Sequence, residues 1–343
     1  MRVVCAAVLI GAAAVTATCA FAQGNRAPHV LTERLSEGVA RVYAAPTATG
    51  IGVFVQSAKE RAFRVRLADD GALRLVDAPP PLPDRVEAGM LPDGAITRGT
   101  RNIRAAWLVG ATDRYAHGVL GDAIEAEGVA VETADGRRLE FRLPADSVFE
   151  DRYPRLADID GDGEDEIVVV RSYLDSGAAL AVLKARPDGL SIVAETPALG
   201  LRNRWLNPVG AADFDGDGAI EVALVETPHI GGVLKLYRWQ RGRLESVASL
   251  SGVSNHALGS RALGLSAIFD TDGDGRPDIL VPDRSRRTLG VFRFANDRLE
   301  KIADIAHPSP IASDFAVADL GGGRSRIVYA LADGTVVAVG FAP

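Results

Sequence analysis

The sequence predicts an all-β fold assembled from repeated four-stranded antiparallel sheets, and three observations carry that prediction. One acidic nonapeptide occurs three times, as Asp158-Ile-Asp-Gly-Asp-Gly-Glu-Asp-Glu166, Asp213-Phe-Asp-Gly-Asp-Gly-Ala-Ile-Glu221 and Asp270-Thr-Asp-Gly-Asp-Gly-Arg-Pro-Asp278. Each copy runs into a short apolar stretch (Ile167-Val-Val-Val170, Val222-Ala-Leu-Val225, Ile279-Leu-Val281) with the length and β-branched character of a buried strand. With a degenerate fourth copy beginning at Asp319, the repeats start roughly 49 to 57 residues apart, which suits one four-stranded propeller blade.

A second marker keeps the same beat. Hairpin turns between third and fourth strands are expected at Asp188-Gly189, Arg241-Gly242 and Asn296-Asp297. Extended backwards, Asp135-Gly136 and Asp70-Gly71 mark two earlier blades without acidic loops, spanning about 103–143 and about 39–77. Their strands read Ile103-Arg-Ala-Ala-Trp-Leu108 and Arg61-Ala-Phe-Arg-Val-Arg-Leu67, the latter alternating as a half-buried strand does. The proline run Pro79-Pro-Pro-Leu-Pro83 separates the two as a surface connection. The later repeats span about 153–195, 206–250, 262–304 and 312–341, and the chain stops before the last has a fourth strand. Pro28-His-Val-Leu-Thr-Glu-Arg-Leu35 is expected to supply it, closing a ring and covering an exposed edge. The expectation is a β-propeller of six blades, with seven as the alternative.

The nonapeptide places carboxylates at positions 1, 3, 5 and 9 and a backbone carbonyl at position 7, an oxygen set suited to a hard divalent cation. The expected ligands are Asp158, Asp160, Asp162, Glu164 and Glu166 in the first loop, Asp213, Asp215, Asp217, Ala219 and Glu221 in the second, and Asp270, Asp272, Asp274, Arg276 and Asp278 in the third. Calcium fits best, because it accepts six to eight oxygens in flexible geometry whereas magnesium retains its water. Up to three structural Ca2+ ions are expected. An EF-hand begins the same way but needs a Glu at position 12 and flanking helices, whereas position 12 is Val169, Leu224 or Val281 inside a strand. The fourth loop keeps Asp319 but carries Gly321, Gly323 and Arg326 where ligands are needed, so it receives no metal.

On these loops, residues 153–340 resemble the FG-GAP or VCBS repeats of integrin-α-like β-propellers, in which such a loop joins the first two strands of a blade. The resemblance implies the propeller fold. The chain departs from the family in lacking a Phe-Gly or Gly-Ala-Pro signature.

The basic start, apolar core and Ala20-Phe-Ala22 site of residues 1–22 read as a secretory signal peptide, leaving 23–343 as one domain. Its removal takes Cys5 and Cys19, the 2 cysteines of the chain, so no disulfide is expected in the periplasmic or secreted protein. The 38 basic and 45 acidic residues leave a net charge of −7 without a basic stripe or basic amphipathic helix. Nucleic-acid binding is therefore not expected, nor a membrane span after cleavage. A monomer is expected.

In an up-and-down blade the acidic loops share one face with the 3–4 hairpins, leaving the 2–3 and inter-blade connections on the other. The candidate ligand residues on that opposite face are Tyr173, Arg204, Trp205, Asn207, Glu226, His229, His256 and Arg261. Arg204 and Arg261 each precede a first aspartate by the same interval and can pair with a carboxylate or phosphate, while Trp205 offers a stacking surface to a sugar or peptide. The competing reading is structural, with the arginines paired to loop groups and Trp205 packed between blades. Glu226, His229 and His256 lie on neighbouring loops and could form an acid/base pair or a small metal site, but their spacing matches no zinc motif, so no catalytic residue is assigned. The expectation is a calcium-stabilised binding module for a protein or carbohydrate ligand, an acidic one where the two arginines take part; the alternative is a periplasmic hydrolase or lyase acting on an acidic polysaccharide.

Overall fold

The computed structural model describes residues 27–80, 86–321 and 323–341; the expected signal peptide lies outside them. All regular elements described are strands. After β1 (His29–Arg34) come β2 (Val39–Thr47), β3 (Gly50–Ser57), β4 (Ala62–Leu67) and β5 (Leu73–Ala78), forming one antiparallel sheet in chain order. A nine-stranded sheet follows, holding β6 (Thr97–Arg98), β7 (Ile103–Thr112), β8 (Glu125–Thr133), β9 (Arg138–Arg142), β10 (Ser147–Phe149), β11 (Arg155–Ala157), β12 (Glu166–Tyr173), β13 (Gly177–Arg186) and β14 (Gly189–Glu195). Short β10 pairs with both β8 and β12, so it joins two four-stranded sets, β6–β9 and β11–β14. Two further sheets are β15 (Leu206–Ala212), β16 (Glu221–Glu226), β17 (Val233–Gln240), β18 (Arg243–Ser251), and β19 (Ala267–Phe269), β20 (Asp278–Pro282), β21 (Thr288–Ala295), β22 (Arg298–Ala306).

The last sheet combines β23 (Ala316–Asp319), β24 (Ser325–Ala330) and β25 (Thr335–Gly340) with β1, in the order β1-β25-β24-β23. The amino-terminal strand runs antiparallel to β25 from His29 opposite Gly340 to Arg34 opposite Thr335, as expected. Two of the three hairpins fall on the expected turns, while the third turns at Pro187-Asp188, one residue before the expected Asp188-Gly189, whose Gly189 starts β14. Arg241 and Gly242 (φ 50° and 78°) link β17 to β18, and Asn296 and Asp297 (φ 52° and 57°) link β21 to β22, the left-handed pairs that two-residue hairpins require.

The sheets stack through both faces. In β12, Val168 and Val170 enter one apolar cluster with Leu206 and Leu224, while Ile167 and Val169 enter another with Ile103 and Val129. The same alternation in β16 sends Val222 and Leu224 one way and Ala223 and Val225 the other. It repeats in β24, where Ile327 and Tyr329 face the β19–β22 sheet, and Val328 and Ala330 face the β2–β5 sheet. Five clusters thus join neighbouring four-stranded sets from β6–β9 onward to β2–β5. The free face of β7 and β8, with Trp107 and Ala130, packs instead against Met90 and Ile96 of the connection that follows β5.

Because Val336, Val337, Ala338 and Val339 of β25 are wholly buried, the strand that pairs with them guards an apolar edge. Deleting residues 27–35 should lower the melting temperature by about 5 °C or more, or cause aggregation. Equal solubility and an unchanged melt in the truncated chain would show that β1 contributes nothing to the last sheet.

Candidate functional site

The three acidic loops connect β11 to β12, β15 to β16 and β19 to β20, and they share one construction. The position-1 aspartate caps the turn with both oxygens: Gly161 N and Gly163 N donate to Asp158 at 2.9 and 3.0 Å, and Gly216 and Gly218 donate to Asp213 at 2.7 and 2.9 Å. Gly273 and Gly275 treat Asp270 likewise, at 2.7 and 2.9 Å. The glycines at positions 4 and 6 are left-handed in every copy, with φ between 76° and 90° in the first loop, a conformation that side chains resist. The position-7 amides of Glu164, Ala219 and Arg276 donate to Asp162, Asp217 and Asp274.

This folding gathers oxygens. Ligand atoms of Asp158, Asp160 and Glu166 lie within 4.8 Å of one another, as do those of Asp213, Asp215 and Glu221, and those of Asp270, Asp272 and Asp274. In the first loop Glu166 is 0% exposed, Lys184 Nζ stands 3.1 Å from its Oε1, Arg101 stands 3.0 Å from Asp158, and burial pushes the Glu166 carboxyl above the usual range against hydrogen bonds from Ile159 N and Lys184. A cavity of about 560 Å3 lined by Arg101, Leu156, Asp158 and Gly218 opens beside this loop and gives a hydrated ion access. In the third loop the acids are engaged likewise: Asp278 by Thr271 Oγ1 and by Arg293 at 2.9 and 3.0 Å, and Asp274 by Arg276 at 2.6 Å.

A basic side chain stands at each cage. Lys184 Nζ lies 2.8, 2.5 and 3.1 Å from Asp160, Asp162 and Glu166. Arg238 lies 2.8, 3.0 and 2.5 Å from Asp215, Asp217 and Glu221, and Arg293 lies 2.8 Å from Asp272 besides its contacts with Asp278. The nonapeptide pattern does not contain these residues. They belong to the third strand of each sheet, and only strand pairing reveals them.

On the opposite face the structure brings together Trp205, His229 and His256. The Trp205 and His229 rings stack at 6.0 Å with 4° between planes, and His256 meets Trp205 edge-on at 4.9 Å. His256 Nε2 lies 2.9 Å from Ser260 O and must donate to it, so Nδ1 accepts from His229 Nε2 at 2.8 Å. Both imidazoles are neutral. Burial holds His256 down at about 3, and burial followed by the charges of His117 and Arg286 holds His229 at about 4.

The remaining candidates are dispersed. Glu226 does not join the histidines, because Tyr237 OH and Lys235 Nζ take its carboxylate at 3.1 and 2.9 Å. Asn207 is fully buried and donates to Asn255 O and Leu263 O. Tyr173 donates to Glu195, and Arg261 pairs with Asp122 and Asp93. Trp205 itself is 2% exposed and donates to Glu150 O, so its ring is a packing element rather than an open platform. Arg204 is half-buried beside Gly177.

What covers Trp205 is the connection 113–124 between β7 and β8, which the sequence reading left without a role. Its Val119 and Leu120 enter the cluster of Trp205, Leu206 and Leu263, Val119 O accepts from Gly259 N, and Tyr115 OH accepts from Asn203 N. Beneath it lies a buried acidic group. Glu150 Oε1 is 2.6 Å from His117 Nδ1 and its Oε2 accepts from Ser172 Oγ at 2.5 Å. Glu125 is 1% exposed with Oε2 unpartnered, and burial, then the neighbouring Glu150, carries its pKa from 4.5 to about 10. No spacing rule flags these residues, since Glu125 and Glu150 sit within strand patterns.

A carboxyl whose folded pKa is raised gives stability that is complete below its unfolded value near 4.5 and is lost as pH rises towards about 10. Glu125→Gln should therefore raise the melting temperature, with a gain over the native chain that grows from pH 5 to pH 8. Melts at the two pH values check this, and a gain that is equal or smaller at pH 8 would show that Glu125 is ionised in the fold.

A family model described as FG-GAP-like repeat matches residues 158–224 and 213–281. No curated protein matches the chain. Among solved structures the chain is similar to one described as the crystal structure of BBS1N in complex with ARL6DN, soaked with mercury, at 12% identity over 91% of this chain and 95% of that one, with a TM-score of 0.42. At that similarity the comparison carries no argument here. The stretch 158–281, which holds the three acidic loops, consists of FG-GAP-like repeats.

Proposed function

We propose that the chain is an exported, calcium-stabilised β-propeller of six blades that acts as a binding module. The repeated oxygen cages at the 1–2 loops carry the calcium reading. Ring closure is supported by β1 pairing with β25 and by the shared cluster that stacks the β2–β5 sheet on the last sheet. Among the described residues no helix is long and apolar enough to cross a membrane. In the first loop Asp158, Asp160, Asp162, the Glu164 carbonyl and Glu166 would hold the ion, which supplies the charge that keeps these carboxylates together.

For the ligand, one observation favours protein over carbohydrate. Leu201, Ile230 and Leu258 are 59%, 61% and 71% exposed, and all three belong to connections on the face opposite the acidic loops. Exposed large apolar side chains that form one contiguous patch mark contact surfaces for proteins, and these three would have to act as such a patch. Trp205, 2% exposed, is not open for a sugar to stack on. Arg204, without a carboxylate partner among the described residues, adds selectivity for an acidic segment.

Two measurements check this reading. Free calcium at ten times a site's dissociation constant adds about 1.4 kcal/mol per site, so melts in calcium should exceed those in chelator by several degrees. Identical curves with no bound metal by elemental analysis overturn the calcium part. Combined Leu201→Ser, Ile230→Ser and Leu258→Ser should leave the melt within about 1 °C yet weaken capture of acidic, apolar peptides on an array at least tenfold. Undiminished capture moves the contact surface elsewhere.

A further inference from the structure

We propose that Lys184, Arg238 and Arg293 are built-in counter-cations of the acidic loops, sharing each cage with the metal and holding it together when the metal is absent. This rests on the calcium reading for its metal half and on strand register for the rest. In the first two blades with loops, the position-9 acid and the base are directly opposed across neighbouring strands, Glu221 to Arg238 by pairing and Glu166 to Lys184 by the same register one step beyond Ile167–Leu183. Asp278 and Arg293 stand in the same relation beyond Ile279–Phe292. Each acid is at most 1% exposed, so it cannot be left without a cation.

The fourth loop supplies an internal control. Ala318 pairs with Arg326 just as Ala157 pairs with Glu166, so an arginine stands at the position-9 register. The cross-strand place that holds the base elsewhere is Gly340, where an added Cβ would come within 2.4 Å of Arg326 Nη1. Where the acids are gone, the base opposite has gone too, and the cation has moved one strand over. The basic residue thus accompanies the acidic cage, and does not follow from the blade as such.

The two cations are in opposition. Lys184 touches three of the oxygens that a metal needs, and its charge repels a divalent ion bound among them. Removing it takes the cation from Asp160, Asp162 and Glu166 and leaves Arg101, half-exposed and 3.0 Å from Asp158, as the remaining counter-charge, so the metal-free loop is weakened and a bound metal meets less repulsion.

The test uses the full chain with Lys184→Met and Lys184→Arg, each melted in chelator and titrated with calcium by calorimetry. Lys184→Met should melt several degrees below the native chain in chelator, recover in saturating calcium, and bind calcium about tenfold more tightly at one site. Lys184→Arg should stay near the native values in both. Calcium binding by Lys184→Met alone supports the counter-cation and removes the calcium reading for the native chain. Unchanged or weaker calcium affinity in Lys184→Met, or an unchanged melt in chelator, overturns the proposal, while calcium binding by the native chain in that case leaves the metal reading standing.

Discussion

Everything in this molecule depends on sheets that bury both faces. A four-stranded sheet with apolar side chains on each side cannot stand alone in water, and each one here shares an apolar cluster with at least one neighbouring sheet. Strand β12 shows the arrangement most plainly, since consecutive valines alternate between two cores and none is spare. The consequence is a stack in which removing the cover from one sheet exposes the next. The amino-terminal strand matters for this reason, although it sits at the edge.

Face-to-face stacking leaves strand ends as the places where polar chemistry can be housed. At one end, tight turns with left-handed glycines bring carboxylate oxygens within 4.8 Å of one another. The fold answers with basic residues directly across the ladder, so that the most buried acid of each loop meets a cation at hydrogen-bond distance. Charge-assisted contacts of this kind fix the register of the second and third strands. They also make the loops a balance between two kinds of cation.

The other end is organised differently. There the connection 113–124 lies over the strand ends and turns Trp205 from a surface ring into a core residue. Strand β10 breaks from β11 around Pro154, and Asp151 fills the gap by accepting from Val170 N, so a carboxylate takes the place of a strand carbonyl. Glu125 and Glu150 lie in this buried region, one unpartnered and the other held by His117 and Ser172. Burial, then the neighbouring Glu150, raises the Glu125 pKa to about 10, which favours the neutral carboxyl at that depth.

The sequence alone determined the strand repeat, the hairpin turns, the amino-terminal strand's partner and the oxygen-rich loops, because each depends on residues close together in the chain or on a fixed period. Asp158 through Glu166 announces its turn geometry in nine letters, and Asn296-Asp297 does so in two. Tertiary structure decided what period cannot carry. Lys184, Arg238 and Arg293 look like ordinary strand residues until pairing sets them opposite the acids. Trp205 and Asn207 read as surface candidates until a connection from another sheet and the Asn255 backbone bury them. Glu226 stands near His229 in sequence, yet strand direction hands it to Tyr237 and Lys235. In each case the deciding partner lies on a different strand or sheet, and side-chain fate is settled by contact in space, to which local sequence has no access.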